Sequence, residues 1–267
     1  MKTFSSPTSK LIAEADGGVG VISINNVAKR NALDLDMWRA LPQLLADMAA
    51  DEAVRVIVLR GAGDSPFASG ADISEFRVLR ASAAGGRAYE ESNEAAFAAV
   101  NACPVPVIAM IRGFCMGGGV GLAAACDLRV AAEGAVFGVP AARLGVGYPP
   151  RAMRLVVAAF GDAVARDLFF TARRLDAQEA KALGAVHRLW PEAELERETM
   201  ALARTIAANA PLAMRSAKAS INAASGLPGA PDEAGLLALA GACFDSEDYA
   251  EGRDAFLEKR QPVFRGR

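Results

Sequence analysis

Residues 112–127 read Arg112-Gly-Phe-Cys-Met-Gly-Gly-Gly-Val-Gly-Leu-Ala-Ala-Ala-Cys-Asp127. An apolar, β-branched run precedes them (Val105, Val107, Ile108, Ile111), and their own end is Ala-rich and helix-favouring. The pattern predicts a strand, a glycine turn and a helix. Gly117, Gly118 and Gly119 carry no side-chain bulk, so their backbone N–H groups can point outward. At a helix start, such groups also lie at the positive end of the helix dipole. The turn suits an anion, or an oxygen that becomes one during a reaction.

Working outward, residues 11–16 and 19–25 read as short strands joined by a hairpin turn at Asp16-Gly17-Gly18. Asp34 is placed to cap a helix whose apolar face holds Met37, Leu41, Leu44, Leu45 and Met48. Residues 54–59 are near-continuously apolar, as in a strand covered on both faces. A glycine-containing loop at 60–70 leads to a helix start at Ala71-Asp72-Ile73. Residues 77–86 show no clear pattern and read as mobile, 88–102 as helix, 105–111 and 128–132 as strands. From residue 151 the pattern is helical almost throughout, with one long helix over 234–257. This predicts an α/β core of repeated ββα or βαβ units over 1–200 and a C-terminal helical segment over 201–267.

The chain has 267 residues, 52% of them hydrophobic, enough for a sizeable core. A formal net charge of −2 argues against general nucleic-acid or membrane-surface binding. Cys103, Cys115, Cys126 and Cys243 have neither CxxC nor metal-site spacing and read as reduced thiols of a cytosolic protein. No signal-peptide pattern opens the chain, and no uncharged apolar run reaches the ~18 residues of a membrane span. The expectation is a soluble, cytoplasmic protein.

Several chemistries are poorly served. His187, in a strand-like stretch between Val186 and Leu189, is the single histidine and there is no GxSxG, so a serine triad is not indicated. No HExxH or His/Asp cluster suggests a metal. Gly119-Val-Gly121-Leu-Ala-Ala124 fits a loose dinucleotide pattern, but no acidic residue follows about 20 positions on. A better pairing joins Ser69-Gly70-Ala71-Asp72 with Met116-Gly117-Gly118-Gly119, since each follows a buried strand and leads into a helix. If the strands are neighbours, two sets of N–H donors converge as an oxyanion hole requires.

At these residues the sequence resembles the crotonase (enoyl-CoA hydratase/isomerase) superfamily. The matching segments are Lys29-Arg30-Asn31-Ala32-Leu33, Phe67-Ala68-Ser69-Gly70-Ala71-Asp72-Ile73, residues 106–127, Phe137-Gly138-Val139-Pro140 with Leu144-Gly145, and residues 250–260. The resemblance implies a spiral of ββα units, with a C-terminal helical region that makes a homotrimer or a dimer of trimers. It implies an acyl-CoA partner, with no metal and no redox cofactor, coenzyme A being part of the substrate. It assigns the thioester oxygen to the N–H groups of Ala71 and Gly118. It assigns substrate binding to Lys29, Arg30, Ala32, Ala68, Gly70, Asp72, Ile73, Met116, Gly117, Pro140 and Leu144.

The resemblance breaks where hydratases of the superfamily carry two glutamates: the matching positions are Gly121 and Ala141. Neither side chain transfers a proton, and a general acid or base typically contributes about 10²–10⁴-fold. Leu144-Gly145-Val146-Gly147-Tyr148 resembles instead the Leu-Gly-Val-x-Tyr run of the superfamily's methylmalonyl-CoA decarboxylases. There the tyrosine lies at the reacting carboxylate, which makes Tyr148 the third catalytic candidate. Arg143 is a candidate carboxylate partner, and Glu90, Glu91 or Glu94 a displaced acid or base. Each also reads as a solvated surface charge. Three functions follow: an enzyme passing through an enolate, by decarboxylation or isomerisation rather than hydration; an acyl-CoA-binding protein without catalysis; and, on the glycine pattern alone, a nucleotide-dependent oxidoreductase.

Overall fold

A computed structural model describes all 267 residues. Strands β1 (Lys2–Phe4), β2 (Leu11–Asp16) and β3 (Val19–Ile24) form an antiparallel meander. Its second turn places Gly17 and Gly18 at φ of 54° and 85°, the left-handed region a tight hairpin demands. Helix α1 (Leu35–Ala49) starts where the Asp34 carboxylate accepts the Met37 N–H at 2.9 Å. β4 (Val56–Gly61) follows, then a 3-10 turn (Ile73–Glu75) running into α2 (Phe76–Leu79) and the long α3 (Ala83–Ala102). Most of residues 77–86, expected to be patternless, is thus helical. Ser82 caps α3 by accepting the Gly85 N–H, and the helix as a whole, packed on α1, carries Gly85 and Gly86 despite their weak propensity.

The central segment holds β5 (Val107–Ile111), β6 (Phe114–Met116), α4 (Gly118–Ala125), β7 (Leu128–Ala132), β8 (Val136–Gly138) and α5 (Ala141–Leu144). After it come α6 (Pro150–Phe160), α7 (Asp162–Thr171), β9 (Arg174–Asp176), α8 (Ala177–Ala182), β10 (Arg188–Trp190) and α9 (Leu195–Ala207). Two strands lie in this largely helical stretch: β10, beside the strand-like residues around His187, and β9, which was not expected. Each spans three residues, too few for periodicity to show, and each is defined by its partner: β10 pairs with β7, and β9 with β8. The chain ends in α10 (Pro211–Ala224), α11 (Glu233–Phe244) and α12 (Glu247–Glu258). The single helix expected over 234–257 is broken because Ser246 accepts the Tyr249 N–H at 3.1 Å and starts a new helix. No helix is long and apolar enough to cross a membrane.

The main sheet has the order β1-β2-β3-β4-β5-β7-β10, parallel from β3 onward; β6, β8 and β9 form a second, smaller sheet. Ile57, Leu59, Val107, Ala109 and Ile111 turn to a core shared with α1, α3 and α4. Alternate residues Val56, Val58, Ile108 and Met110 pack on Leu195, Leu202, Ala203 and Ala207 of α9. Coverage on both faces is why residues 54–59 read as unbroken apolar sequence. α9 is continuous across the 200/201 division expected from sequence and belongs to the sheet layer.

Beyond it the helices touch the core sparingly. Lys218 of α10 donates to the Asp127 carboxylate at 2.7 Å and to the Val105 carbonyl at 3.2 Å, while α11 buries no residue. Leu237, Phe244, Phe256 and Leu257 are largely exposed (67%, 66%, 82% and 73%).

Candidate active site

Parallel pairing of β4 with β5 carries the segments that leave their C-terminal ends to the same side of the sheet. Those segments then bond to each other: Ala68 N–H donates to the Phe114 carbonyl and Met116 N–H to the Ala68 carbonyl, both at 2.9 Å. On its other side, the first loop is held by Leu33, whose N–H donates to the Gly70 carbonyl and whose carbonyl accepts from Asp72, both at 2.8 Å. Between these anchors the Ala71 N–H donates to nothing within the chain. In the second loop Gly117 donates to the Gly138 carbonyl at 2.8 Å, so it is not free as the sequence suggested. Gly118, first residue of α4, has a free N–H.

The two loops are in van der Waals contact. Gly70 adopts φ 108°, and a β-carbon there would come within 3.2 Å of the Met116 carbonyl oxygen; one on Gly117 would touch the Gly70 Cα. Glycine is required by conformation at both positions, Gly117 having φ 53°, and by closeness of approach at 70. Ala71 and Gly118 thus present two unpartnered donors to one cleft, walled otherwise by Phe97, Val139, Leu144 and Val146. Such donors suit an oxygen that gains negative charge, because they are in place before the charge forms.

Tyr148 closes the cleft over α4. A β-carbon on Gly121 would lie 2.3 Å from the Tyr148 hydroxyl and 2.7 Å from the Phe97 ring. The phenol occupies the space that a side chain at 121 would need. Its hydroxyl is buried without a hydrogen-bond partner, and its ring stands edge-on to Phe169 at 4.9 Å. Burial, and secondarily the Glu90 charge, hold its pKa well above the usual phenol value. It is a donor at neutral pH, not a base.

Of the residues expected at the site, Gly70, Ala71, Ile73, Gly117, Gly118, Pro140, Leu144 and Tyr148 line this cleft. Lys29, Arg30, Ala32, Ala68, Asp72 and Met116 do not; they build the loops behind it. Lys29 reaches the Asp72 carboxylate at 2.5 Å and the Ser74 hydroxyl at 2.9 Å. Burial pushes Asp72 upward, yet the hydrogen bonds from Lys29 and Ser74 outweigh it and leave its pKa below the usual carboxylate value. The Arg30 carbonyl accepts from Ser69, Ala32 and Ala68 are buried, and the Met116 thioether lies against Gly138.

Among the residues weighed beside these, Glu90 and Ala141 line the cleft, while Glu91 and Arg143 are exposed outside it. Glu94 lies 3.6 Å from Arg151. His187 is structural, its Nδ1 accepting the Arg129 N–H at 3.1 Å. The glycine pattern at 119–124 lies inside α4, where Gly119 and Gly121 allow close packing against Ala68 and Tyr148. That removes the dinucleotide reading, which needs those glycines in the turn itself. No cluster of His, Cys, Asp and Glu has a metal-holding arrangement. Cys115 and Cys126 are buried, and burial raises both thiols, that of Cys126 to about 12.

Phe76, Arg80, Asn93 and Phe97 also line the cleft and were not singled out from sequence. The i, i+3, i+7 spacing of Glu90, Asn93 and Phe97 was a usable signal for one helix face. Arg80 gave none, since only the tertiary fold brings it here.

A family model described as enoyl-CoA hydratase/isomerase matches residues 14–267. The chain belongs to that family. It is 34% identical over 261 residues to the short-chain-enoyl-CoA hydratase of Clostridium acetobutylicum, covering 95% of this chain and 96% of the relative. It is 35% identical over 260 residues to the crotonyl-CoA hydratase of Syntrophomonas wolfei, covering 95% and 97%. A crystal structure of an enoyl-CoA hydratase/carnithine racemase from Magnetospirillum magneticum superposes with a TM-score of 0.92 at 38% identity, covering 98% and 97%. This member of the enoyl-CoA hydratase/isomerase family therefore has the crotonase fold. It carries Gly121 and Ala141 where the resemblance expects carboxylates, with a phenol over the first of them.

Proposed function

We propose that this protein is an enzyme that binds an acyl-CoA thioester and carries it through an enolate. The single observation behind this reading is the pair of unpartnered N–H groups of Ala71 and Gly118 at one cleft. The thioester oxygen would accept both, and the donors would tighten on it as charge moves from Cα to oxygen. Hydration in the manner of two glutamates is not supported, because the side chains at 121 and 141 cannot move a proton. Double-bond isomerisation needs one proton shuttle and leads the reading. Loss of CO₂ from a malonyl-type thioester is second, favoured by the protonated Tyr148 hydroxyl, a donor suited to a departing carboxylate.

The test is turnover on a panel of 3-enoyl, 2-enoyl and malonyl-type CoA esters. Conversion of the first or third, with the second poor, supports the reading. Tight CoA-ester binding without turnover of any would replace it with acyl-CoA binding alone. We also propose that α10–α12 associate around a threefold axis to form a homotrimer or a dimer of trimers. The apolar, uncovered surface of α11 and α12 supports this.

A further inference from the structure

Enolate formation from a saturated or β,γ-unsaturated thioester requires a base at Cα. The lining of the cleft contains one carboxylate, Glu90. Tyr148 is held protonated, and Gly121 and Ala141 offer nothing. Glu90 shares with Asn93 and Phe97 the face of α3 that turns to the cleft. Its Oε1 meets Arg80 Nη1 at 2.7 Å, and its Oε2 accepts from Asn93 Nδ2 at 3.3 Å. The Arg80 guanidinium is itself clamped between the Phe76 and Tyr89 rings, 4.1 and 4.2 Å from their centroids. The carboxylate is therefore fixed at both oxygens while keeping further lone pairs free. Two buried atoms beside it, Arg80 Nε and Asn93 Oδ1, have no partner in the chain. Polar groups left open around one carboxylate in an otherwise apolar cleft are unusual for a purely structural ion pair.

We propose that Glu90 is the catalytic base of this protein, standing in for the carboxylates missing at 121 and 141. The proposal rests on the enolate reading above. Glu90 removes a proton from Cα; the C–H electron pair becomes the enolate double bond, and the charge passes to the thioester oxygen at Ala71 and Gly118. The protonated Glu90 then returns the same proton to Cγ as the double bond moves from β,γ to α,β. No oxidant or co-reactant enters. The Arg80–Glu90 pair is neutral overall, and a second carboxylate on the acyl chain would face the Glu90 charge. The site thus selects an uncharged β,γ-unsaturated acyl-CoA over a malonyl-type one.

The experiment is exchange of the α-protons of butyryl-CoA in D₂O, followed by NMR, beside conversion of 3-hexenoyl-CoA to its 2-enoyl isomer. The wild-type protein should do both. Glu90→Gln should lower both rates by about 10²-fold or more, with butyryl-CoA affinity and melting temperature held. Glu90→Asp keeps the charge but retracts the carboxylate, and should lower exchange about 10-fold; it serves if the Gln variant fails to fold. Wild-type exchange rates in either folded variant overturn the assignment of Glu90 and leave the enolate reading standing. Absence of exchange and of all turnover in the wild type overturns both.

Discussion

The phenol of Tyr148 lies over residue 121 because glycine leaves the surface of α4 open there. Its hydroxyl is buried against that helix surface, with no partner in the chain. Tyr148→Phe keeps the ring packed on Phe169 and removes only this donor. If decarboxylation is an activity of the protein, malonyl-type turnover should fall at least about 10-fold in that variant, read by CO₂ release. Gly118→Pro removes one of the two free N–H groups at the first helical position, where the backbone accepts proline, although its ring must displace the Trp38 ring that a β-carbon would meet at 3.0 Å. It should reduce turnover by about 10²–10³-fold while CoA-ester binding survives, checked by calorimetry beside a melting curve. His187 gives the pH prediction. Partial burial, then the Arg129 charge, lowers its pKa from the ordinary value of 6.5. A depressed histidine pKa means the unfolded chain takes up the proton first, so stability is full above pH 6.5 and falls below it. The ring is exposed enough that the effect is small. Between pH 7.5 and 5.5, wild type should lose more melting temperature than His187→Asn, with no other histidine to confuse the comparison.

Helix α4 shows why composition alone misleads about an element. Replacing a mid-helix glycine by alanine normally stabilises by about 1 kcal/mol. At Gly121 the added carbon would meet the Tyr148 hydroxyl at 2.3 Å and Phe97 at 2.7 Å, and overpacking of this kind costs about 1–3 kcal/mol. Gly121→Ala should therefore lower the melting temperature. Combining it with Tyr148→Phe should recover part of the loss, and a double-mutant cycle measures how much. The start of α1 was legible because its cap, Asp34, stands directly before a periodic apolar face. Boundaries were illegible at α3, whose first turns contain Gly85 and Gly86 and are capped by Ser82, while its buried face begins only at Tyr89. They failed again at Ser246, which looks helical in composition but starts a helix by hydrogen bonding to Tyr249.

At the scale of the molecule, the C-terminal helices are attached by few bonds. Lys218 joins α10 to Asp127, and Asp248 of α12 holds the C-terminal tail, whose Phe264 carbonyl accepts from Arg55 at 2.8 Å. Their apolar residues face outward. Light scattering should give the mass of three or six chains for the wild-type protein. Phe256→Asp together with Leu237→Asp, at positions 82% and 67% exposed in the single chain, should shift it to one chain without changing the circular dichroism. A monomeric wild type would remove the assembly proposed for this surface.

The sequence by itself determined the fold class, the order of most elements and the two loops of the site, because those depend on short-range patterns. Alternation and apolar runs mark strands, glycines mark the turns at 70 and 117, and the family resemblance spans the same segments. It also showed that residues 121 and 141 lack carboxylates. What fills the resulting space was decided only by the tertiary structure. Tyr148 arrives from 27 positions further along the chain, and Arg80 is drawn in by two aromatic rings. Glu90, one of three glutamates on α3 alike in sequence, is singled out by the direction in which its helix face packs. Contacts between residues distant in sequence leave no periodic trace, so the turn that named the family could not say which groups stand opposite it.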